Sequence, residues 1–232
     1  MSWFQLYLSG WSSQVDIAGQ LSDSITLEFG LPQGSIVGPV GYSIYTLPVG
    51  EIARHFEINY HLYADDIQLY ISFDPRTSGA LDNALFKLQT CIENIKKWMV
   101  VNKLKLNDSK TEFFVAASAH NLRNFPDVQL NVGNTLVSPS ETIRNLGVIF
   151  DHRMSMSNHI SHICSTVTFY LRNIARIRRF IDQSACHNAV RSLVLSRIDY
   201  CNALLSSIPS TQLIRAQRLQ NWAARLVFHL GF

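Results

Sequence analysis

The amino-acid sequence predicts an α+β fold, with mixed strands and helices to about residue 150 and an all-helical tail over 151–232. Three observations carry that expectation. Apolar residues alternate at Ile58, Tyr60 and Leu62 and again at Ile67, Leu69, Ile71 and Phe73, the signature of half-buried strands. Leu81, Leu85, Leu88, Ile92, Ile95 and Met99 step by fours and threes, one continuous helical stripe. From Asp151 onward the apolar pattern has a helical period throughout. The 232 residues are 47% apolar, enough to bury a core, which excludes disordered and low-complexity classes. Only 16% are charged, against roughly 25% in ordinary soluble domains, so part of the surface is expected to be covered by a larger body.

Taken in order, Trp3, Phe4 and Tyr7 form an aromatic lead-in that Ser9-Gly10 turns, and 14–17 and 24–29 read as short strands. The stretch from Phe29 to Gly50 has no charge, but Pro32, Pro39, Pro48, Gly30, Gly34 and Gly38 would break a membrane helix. It predicts a buried loop and then a buried helix starting near Pro39, with no membrane span. The two alternating runs flank Tyr63-Ala64-Asp65-Asp66, a β-hairpin with both carboxylates at its tip, and Asp74-Pro75 ends the second strand. The helix over 81–99 follows, with Asp82 early and Lys96-Lys97 late, as the helix dipole favours. Residues 113–116, 128–132 and 146–150 look like strands, with Gly133-Asn134 as a hairpin turn. In the tail, Ile160, Ile163, Val167, Leu171, Ile174 and Ile177 form a stripe while Arg172, Arg176 and Arg179 line another face. Helices over 189–198 and 213–228 flank Pro209.

Cys91, Cys164, Cys186 and Cys201 stand too far apart in sequence for a CxxC metal or redox motif, which suggests reduced, mostly buried thiols in an intracellular protein. Met1-Ser2-Trp3-Phe4 opens no signal peptide, so secretion is not expected. The net charge of +3 hides an asymmetry. Residues 1–150 carry −4, whereas 151–232 hold ten arginines, no lysine and only Asp151, Asp182 and Asp199, a net of +7. A compact basic half is an electrostatic footprint of polyanion binding; a solvated arginine face is the bland alternative.

Asp65 and Asp66 are the sharpest chemical feature. Adjacent carboxylates repel one another unless a cation neutralises them, and oxygen ligands on a rigid hairpin suit Mg²⁺. A solvated acidic turn is the alternative for a bare pair. Around them stand Gly30-Leu31-Pro32-Gln33-Gly34-Ser35, then Leu106-Asn107-Asp108-Ser109-Lys110-Thr111-Glu112-Phe113, then Asn145-Leu146-Gly147-Val148. In this order with Tyr63-Ala64-Asp65-Asp66, these segments resemble the reverse transcriptases of non-LTR (LINE-type) retrotransposons, and the resemblance runs from Trp3 to the last helix.

That resemblance implies a C-terminal fragment of a right-hand polymerase. Residues 1–150 would form a partial palm, an antiparallel sheet with helices, and 151–232 a helical, basic, thumb-like region. It implies RNA-directed DNA polymerase chemistry, a nucleotidyl transfer with two Mg²⁺ ions in the intact family. Asp65 and Asp66 would be catalytic metal ligands, and Lys110 would lie near the departing pyrophosphate. Gln33 and Gly34 would lie beside the templating base and incoming nucleotide, Tyr63 would be a further substrate-binding residue, and Leu146 and Gly147 would grip the primer end. Arg172, Arg176 and Arg179 would contact nucleic acid. The implied partners are an RNA template, a DNA primer, deoxynucleoside triphosphates and the N-terminal portion of the polymerase. Blander roles stand beside these: Gln33 bonding a buried loop, Lys110 solvated, Gly147 marking a strand bulge.

One departure qualifies the expectation. The family carries a further aspartate on a strand ahead of the segment that starts here at Trp3, and basic fingers besides. Asp16 and Asp23 lie after that position and do not substitute for it. The chain is therefore expected to be catalytically incomplete by itself. The alternative is a non-catalytic nucleic-acid-binding relic of a retrotransposon, in the nucleus or cytoplasm.

Overall fold

A computed structural model describes residues 3–30, 34–133, 135–206 and 208–229. Helix α1 (Trp3–Tyr7) leads into short strands β1 (Ser12–Ser13), β2 (Asp16–Ile17), β3 (Gln20–Leu21) and β4 (Ile25–Thr26). Helices α2 (Gly38–Tyr45) and α3 (Leu47–His55) precede strands β5 (Asn59–Tyr63) and β6 (Asp66–Tyr70), and the long helix α4 (Ala80–Val101) follows. A 3₁₀ turn at Asp108–Lys110 comes before α5 (Ala119–Arg123). Strands β7 (Leu130–Val132), β8 (Thr135–Val137), β9 (Thr142–Asn145) and β10 (Val148–Asp151) lead to α6 (Ser157–Ile177), α7 (Gln183–Val190), α8 (Ser196–Asp199) and α9 (Ser210–Phe228). The mixture of helices with small antiparallel sheets agrees with the predicted α+β class. No described helix is long and apolar enough to cross a membrane.

The chain divides into two compact units, one of residues 1–111 with 130–136 and the other of 112–129 with 137–232. In the first unit, Val49, Ala53, Ile58, Cys91, Ile95 and Met99 form a buried cluster shared by α3 and α4. The β5–β6 hairpin lays Tyr60, Leu62, Ile67 and Leu69 against that cluster. Gly50 permits the contact, because a Cβ there would come within 2.6 Å of the Tyr60 ring. Residues of the opposite face, among them Asn59, His61, Tyr63, Asp66 and Tyr70, are exposed, so the period-2 alternation serves the packing it predicted.

The expected buried helix near Pro39 forms as α2, but none of its residues is fully buried, and Val40 and Ile44 are 58% and 62% exposed. Pro39 sits in its first turn as predicted. Thr46 then redirects the chain, and α3 rather than α2 takes the place against α4. The strands expected over 14–17 and 24–29 shrink to the two-residue ladders β1–β4 and β2–β3. Val15, Ile17, Leu21, Ile25 and Leu27 all stay exposed there, so no burial extends the pairing. The turn expected at Gly133-Asn134 lies partly outside the described residues, since only Gly133 is described.

In the second unit, α6, α7, α8 and α9 pack around Ile163, Val167, Leu171, Ile174, Cys186, Val190, Val194, Ile198, Ala223, Leu226 and Val227. The stripe predicted for α6 is buried except at its end, where Ile177 is 49% exposed. Between α7 and α8, Arg191–Leu195 winds as a π-helix, so the helix expected over 189–198 is continuous but not uniform. The strand expected at 113–116 is instead a single bridge of buried Phe113 with Pro139. Proline offers no N–H to continue a ladder; the neighbouring Ser140 N–H donates to the Phe113 carbonyl at 2.8 Å. Asp151 anchors the entry to α6, its carboxylate accepting from the Arg153 and Ser155 amides and the Ser155 hydroxyl. All four cysteines are free thiols, three of them buried and Cys201 exposed.

Candidate functional site

In the first unit the β5–β6 register pairs Tyr63 directly with Asp66, leaving Ala64 and Asp65 as the two-residue tip. Ala64 takes the positive φ of +52° that such a tight turn demands. Tyr63, Asp65 and Asp66 are thus gathered at one exposed end, on a hairpin whose other face is held by core packing. Neither carboxylate forms a salt bridge with a described residue. The half-buried phenol of Tyr42 on α2 is pushed up from its ordinary value by burial and by the negative charge of Asp65. Nothing in the apolar, uncharged run around Tyr42 singled it out beforehand. Its position, three residues after the first-turn proline, is the only sequence signal.

Gly34 adopts φ +82°, a backbone that L side chains rarely take, and a Cβ there would meet no atom within 4 Å. Gln33 lies outside the described residues. Ser35, next in the chain, accepts from the Gly38 amide at 2.9 Å and shares a short hydrogen bond with the Tyr7 hydroxyl, tying the loop to α1. Lys110 is exposed and ends the 3₁₀ turn Asp108–Lys110, a separate element of the same unit. That turn is fixed by an ion pair of Asp108 with Lys96 from α4. Gly133, at φ +64°, lets the chain pass over this pair, because a Cβ would lie 2.1 Å from the Lys96 ammonium.

The remaining candidates belong to the second unit. Leu146 and Gly147 are not in the strand expected over 146–150 but form the tip joining β9 to β10, where Asn145 pairs with Val148. Both have positive φ, +45° and +85°, the geometry of a primed hairpin turn that usually takes Asn-Gly. The Tyr200 hydroxyl donates to the Leu146 carbonyl at 2.7 Å and braces this turn. Arg172, Arg176 and Arg179 are exposed. Arg178 differs entirely, being 7% exposed and donating to the carbonyls of Leu226, Val227 and Ile181. It caps the C-terminus of α9, a task that arginine spacing alone did not reveal.

The sequence model of the family described as "Reverse transcriptase (RNA-dependent DNA polymerase)" matches residues 1–150. The chain belongs to the reverse transcriptase family. The matched residues include the Asp65–Asp66 tip, Gly34 and Lys110. Among curated proteins, this reverse transcriptase chain is similar to "RNA-directed DNA polymerase from mobile element jockey" of Drosophila funebris, 30% identical over 169 residues, which is 69% of this chain and 17% of that protein. The protein of the same name from Drosophila melanogaster is 25% identical over 155 residues, 64% of this chain and 16% of the relative. The chain spans less than one fifth of the length of these relatives. Jockey is a non-LTR, LINE-type element, so the resemblance carried by the four motifs is borne out.

Proposed function

We propose that this chain is part of an RNA-directed DNA polymerase of a LINE-type element and that its Asp65–Asp66 tip belongs to the catalytic metal site. The observation that carries this reading is the pair of exposed carboxylates on a packed hairpin, inside the region matched by the family. Two such carboxylates fit Mg²⁺, which takes one or two from protein and the rest from water and substrate phosphates. When bound, Mg²⁺ supplies the positive charge that offsets the developing charge of phosphoryl transfer. The chain's own residues would do the rest. Tyr63 presents a ring beside the carboxylates, Gln33 and Gly34 border the nucleotide, and Lys110 meets the leaving phosphates. Leu146 and Gly147 would touch the primer end, and Arg172, Arg176 and Arg179 the nucleic-acid backbone. Residues 1–150 would act as palm and 151–232 as thumb, with RNA template, DNA primer and deoxynucleoside triphosphates as substrates.

The chain alone is catalytically incomplete in this reading. Primer extension on an RNA template with Mg²⁺ tests the point. Incorporation by the chain should not exceed that of an Asp65→Ala, Asp66→Ala variant; any excess overturns the incompleteness. Metal binding at the tip has its own readout. Mn²⁺ should broaden the amide resonances of Ala64 to Ile67, and Asp65→Asn with Asp66→Asn should abolish the broadening. Unchanged spectra in the parent chain would remove the tip from the metal site.

A further inference from the structure

The outer face of α6 carries more than arginine. Phe169 is 60% exposed and Phe180, just past the helix, 73% exposed, and between them stand the exposed Arg172 and Arg176. At 100° per residue, Phe169, Arg172 and Arg176 fall within about 60° of the α6 circumference, and the exposed Arg179 and Phe180 follow in the 3₁₀ turn that ends it. The rings are held rather than loose. The Arg179 guanidinium lies over the Phe180 ring at 4.6 Å, and Phe169 meets Tyr170 edge-on at 5.5 Å. Arg197 of α8 stacks over Tyr170 at 4.8 Å and donates to its hydroxyl at 3.2 Å, extending the set to a second helix. The surroundings are cationic, because no acidic residue occurs between Asp151 and Asp182.

A duplex explains half of this face. Its backbone would engage the guanidiniums, but its bases are stacked inside and offer no π-face to an exposed phenylalanine. A single strand explains both halves, since its phosphates meet cations while unstacked bases stack on aromatic rings. Phe169 and Phe180 are about 18 Å apart along the axis, at about 1.5 Å per residue to Ile177 and about 2.0 Å in the 3₁₀ turn beyond it. That length accommodates roughly three to five nucleotides at about 3.4 Å or more each. We infer that the Phe169–Arg172–Arg176–Phe180 stripe holds single-stranded nucleic acid, its rings stacking bases and its arginines pairing phosphates. The inference rests on the proposed nucleic-acid role of Arg172, Arg176 and Arg179 and assigns that face a substrate class.

Fluorescence anisotropy of the full chain with a labelled oligo(dT) or oligo(rU) and with an RNA–DNA hybrid of equal length tests it. Phe169→Ala with Phe180→Ala should weaken single-strand binding by at least roughly tenfold while the hybrid changes less than twofold. Phe169→Trp should retain single-strand affinity, and its indole emission should be quenched on binding. Equal losses on both probes, or none on either, overturn the inference. An alanine pair that leaves single-strand binding intact but lowers the sedimenting mass makes the stripe a protein contact and overturns it too. Arg172→Ala, Arg176→Ala and Arg179→Ala together should flatten the salt dependence of both probes by about two to three log–log units. If they change neither, the nucleic-acid reading of the face fails first, an outcome distinct from failure of the stacking step.

Discussion

Replacing Arg178 by methionine should destabilise the chain far more than the same change at Arg172, although both belong to one arginine-rich run. Arg178 donates from Nε at 2.9 Å and Nη2 at 3.1 Å to the Leu226 and Val227 carbonyls, and from Nη1 at 2.9 Å to Ile181. The first two lie in the last turn of α9, and the Leu226 carbonyl also receives the Cys186 thiol at 3.9 Å. Methionine nearly conserves the volume but removes a donor from three carbonyls, of which Leu226 keeps only the long Cys186 thiol contact, at about 1–3 kcal/mol for each buried group left unsatisfied. Fraying of the last turn lets water reach them, so the low-to-middle part of the range applies, about 3 kcal/mol in total. For a chain of 232 residues, 1 kcal/mol moves Tm by about 2–4 °C, giving a drop of about 6–12 °C. Exposed Arg172→Met should stay within about 0.5 kcal/mol, no more than about 2 °C. Thermal melts followed by circular dichroism at neutral pH compare the two directly. Equal melting shifts would refute the assignment of Arg178 as the cap of α9.

Gly50→Ala should lower Tm, because its Cβ must displace the Tyr60 ring from 2.6 Å, an overpacking cost of about 1–3 kcal/mol; an unchanged melt would contradict the close α3–β5 contact. Leu146→Asn should do the reverse and raise stability by about 1 kcal/mol, since asparagine tolerates the positive φ that leucine resists; a lower melting point would count against a strained turn. Burial raises the Asp151 carboxyl, but amide and hydroxyl donation from Ser155, Arg153 and Met156 outweighs it and holds the group below its ordinary value. Its folded pKa being depressed, its contribution is fully present above the unfolded value of about 3.9 and disappears as pH falls through the lower folded value. Asp151→Asn should therefore lose stability at pH 7 and converge on the parent chain below about pH 4; a constant gap in urea titrations across that range would refute it.

Much of this fold was legible because burial and period coincide. The β5–β6 hairpin behind its exposed Asp65–Asp66 tip, α4, and the α6 stripe up to Ile174 turn the residues their patterns nominate toward the core. Where the pattern failed, a single specific interaction had replaced it. The run over 113–116 looked extended, yet its partner is Pro139, which ends a ladder after one bridge. Residues 146–150 looked like strand, yet the chain turns at Leu146-Gly147 before β10 begins at Val148, held by Tyr200 more than fifty residues later. Arg178 sits beside exposed arginines in sequence, but it follows Leu171 by seven residues and Ile174 by four and so continues the buried stripe of α6. The uncharged run ending in α2 shows the limit from the other side: apolar composition states what can be buried, and only a facing surface decides whether it is. Tyr42 beside Asp65 belongs with these, since helix α2 and the hairpin come together only in three dimensions.

The sheets described here are all two-stranded, and each joins strands that are adjacent or nested in sequence. Even the widest pairing, Ser12 with Thr26, merely encloses the β2–β3 hairpin. Such ladders close short loops, and a hairpin of this kind forms in about 1–10 μs without waiting for distant chain. The carboxylate tip can therefore exist early, while the slower event is the docking of helices whose contacts span longer separations, such as α6 on α9. A polypeptide emerging from the ribosome would present the Asp65–Asp66 hairpin before α9 has been synthesised.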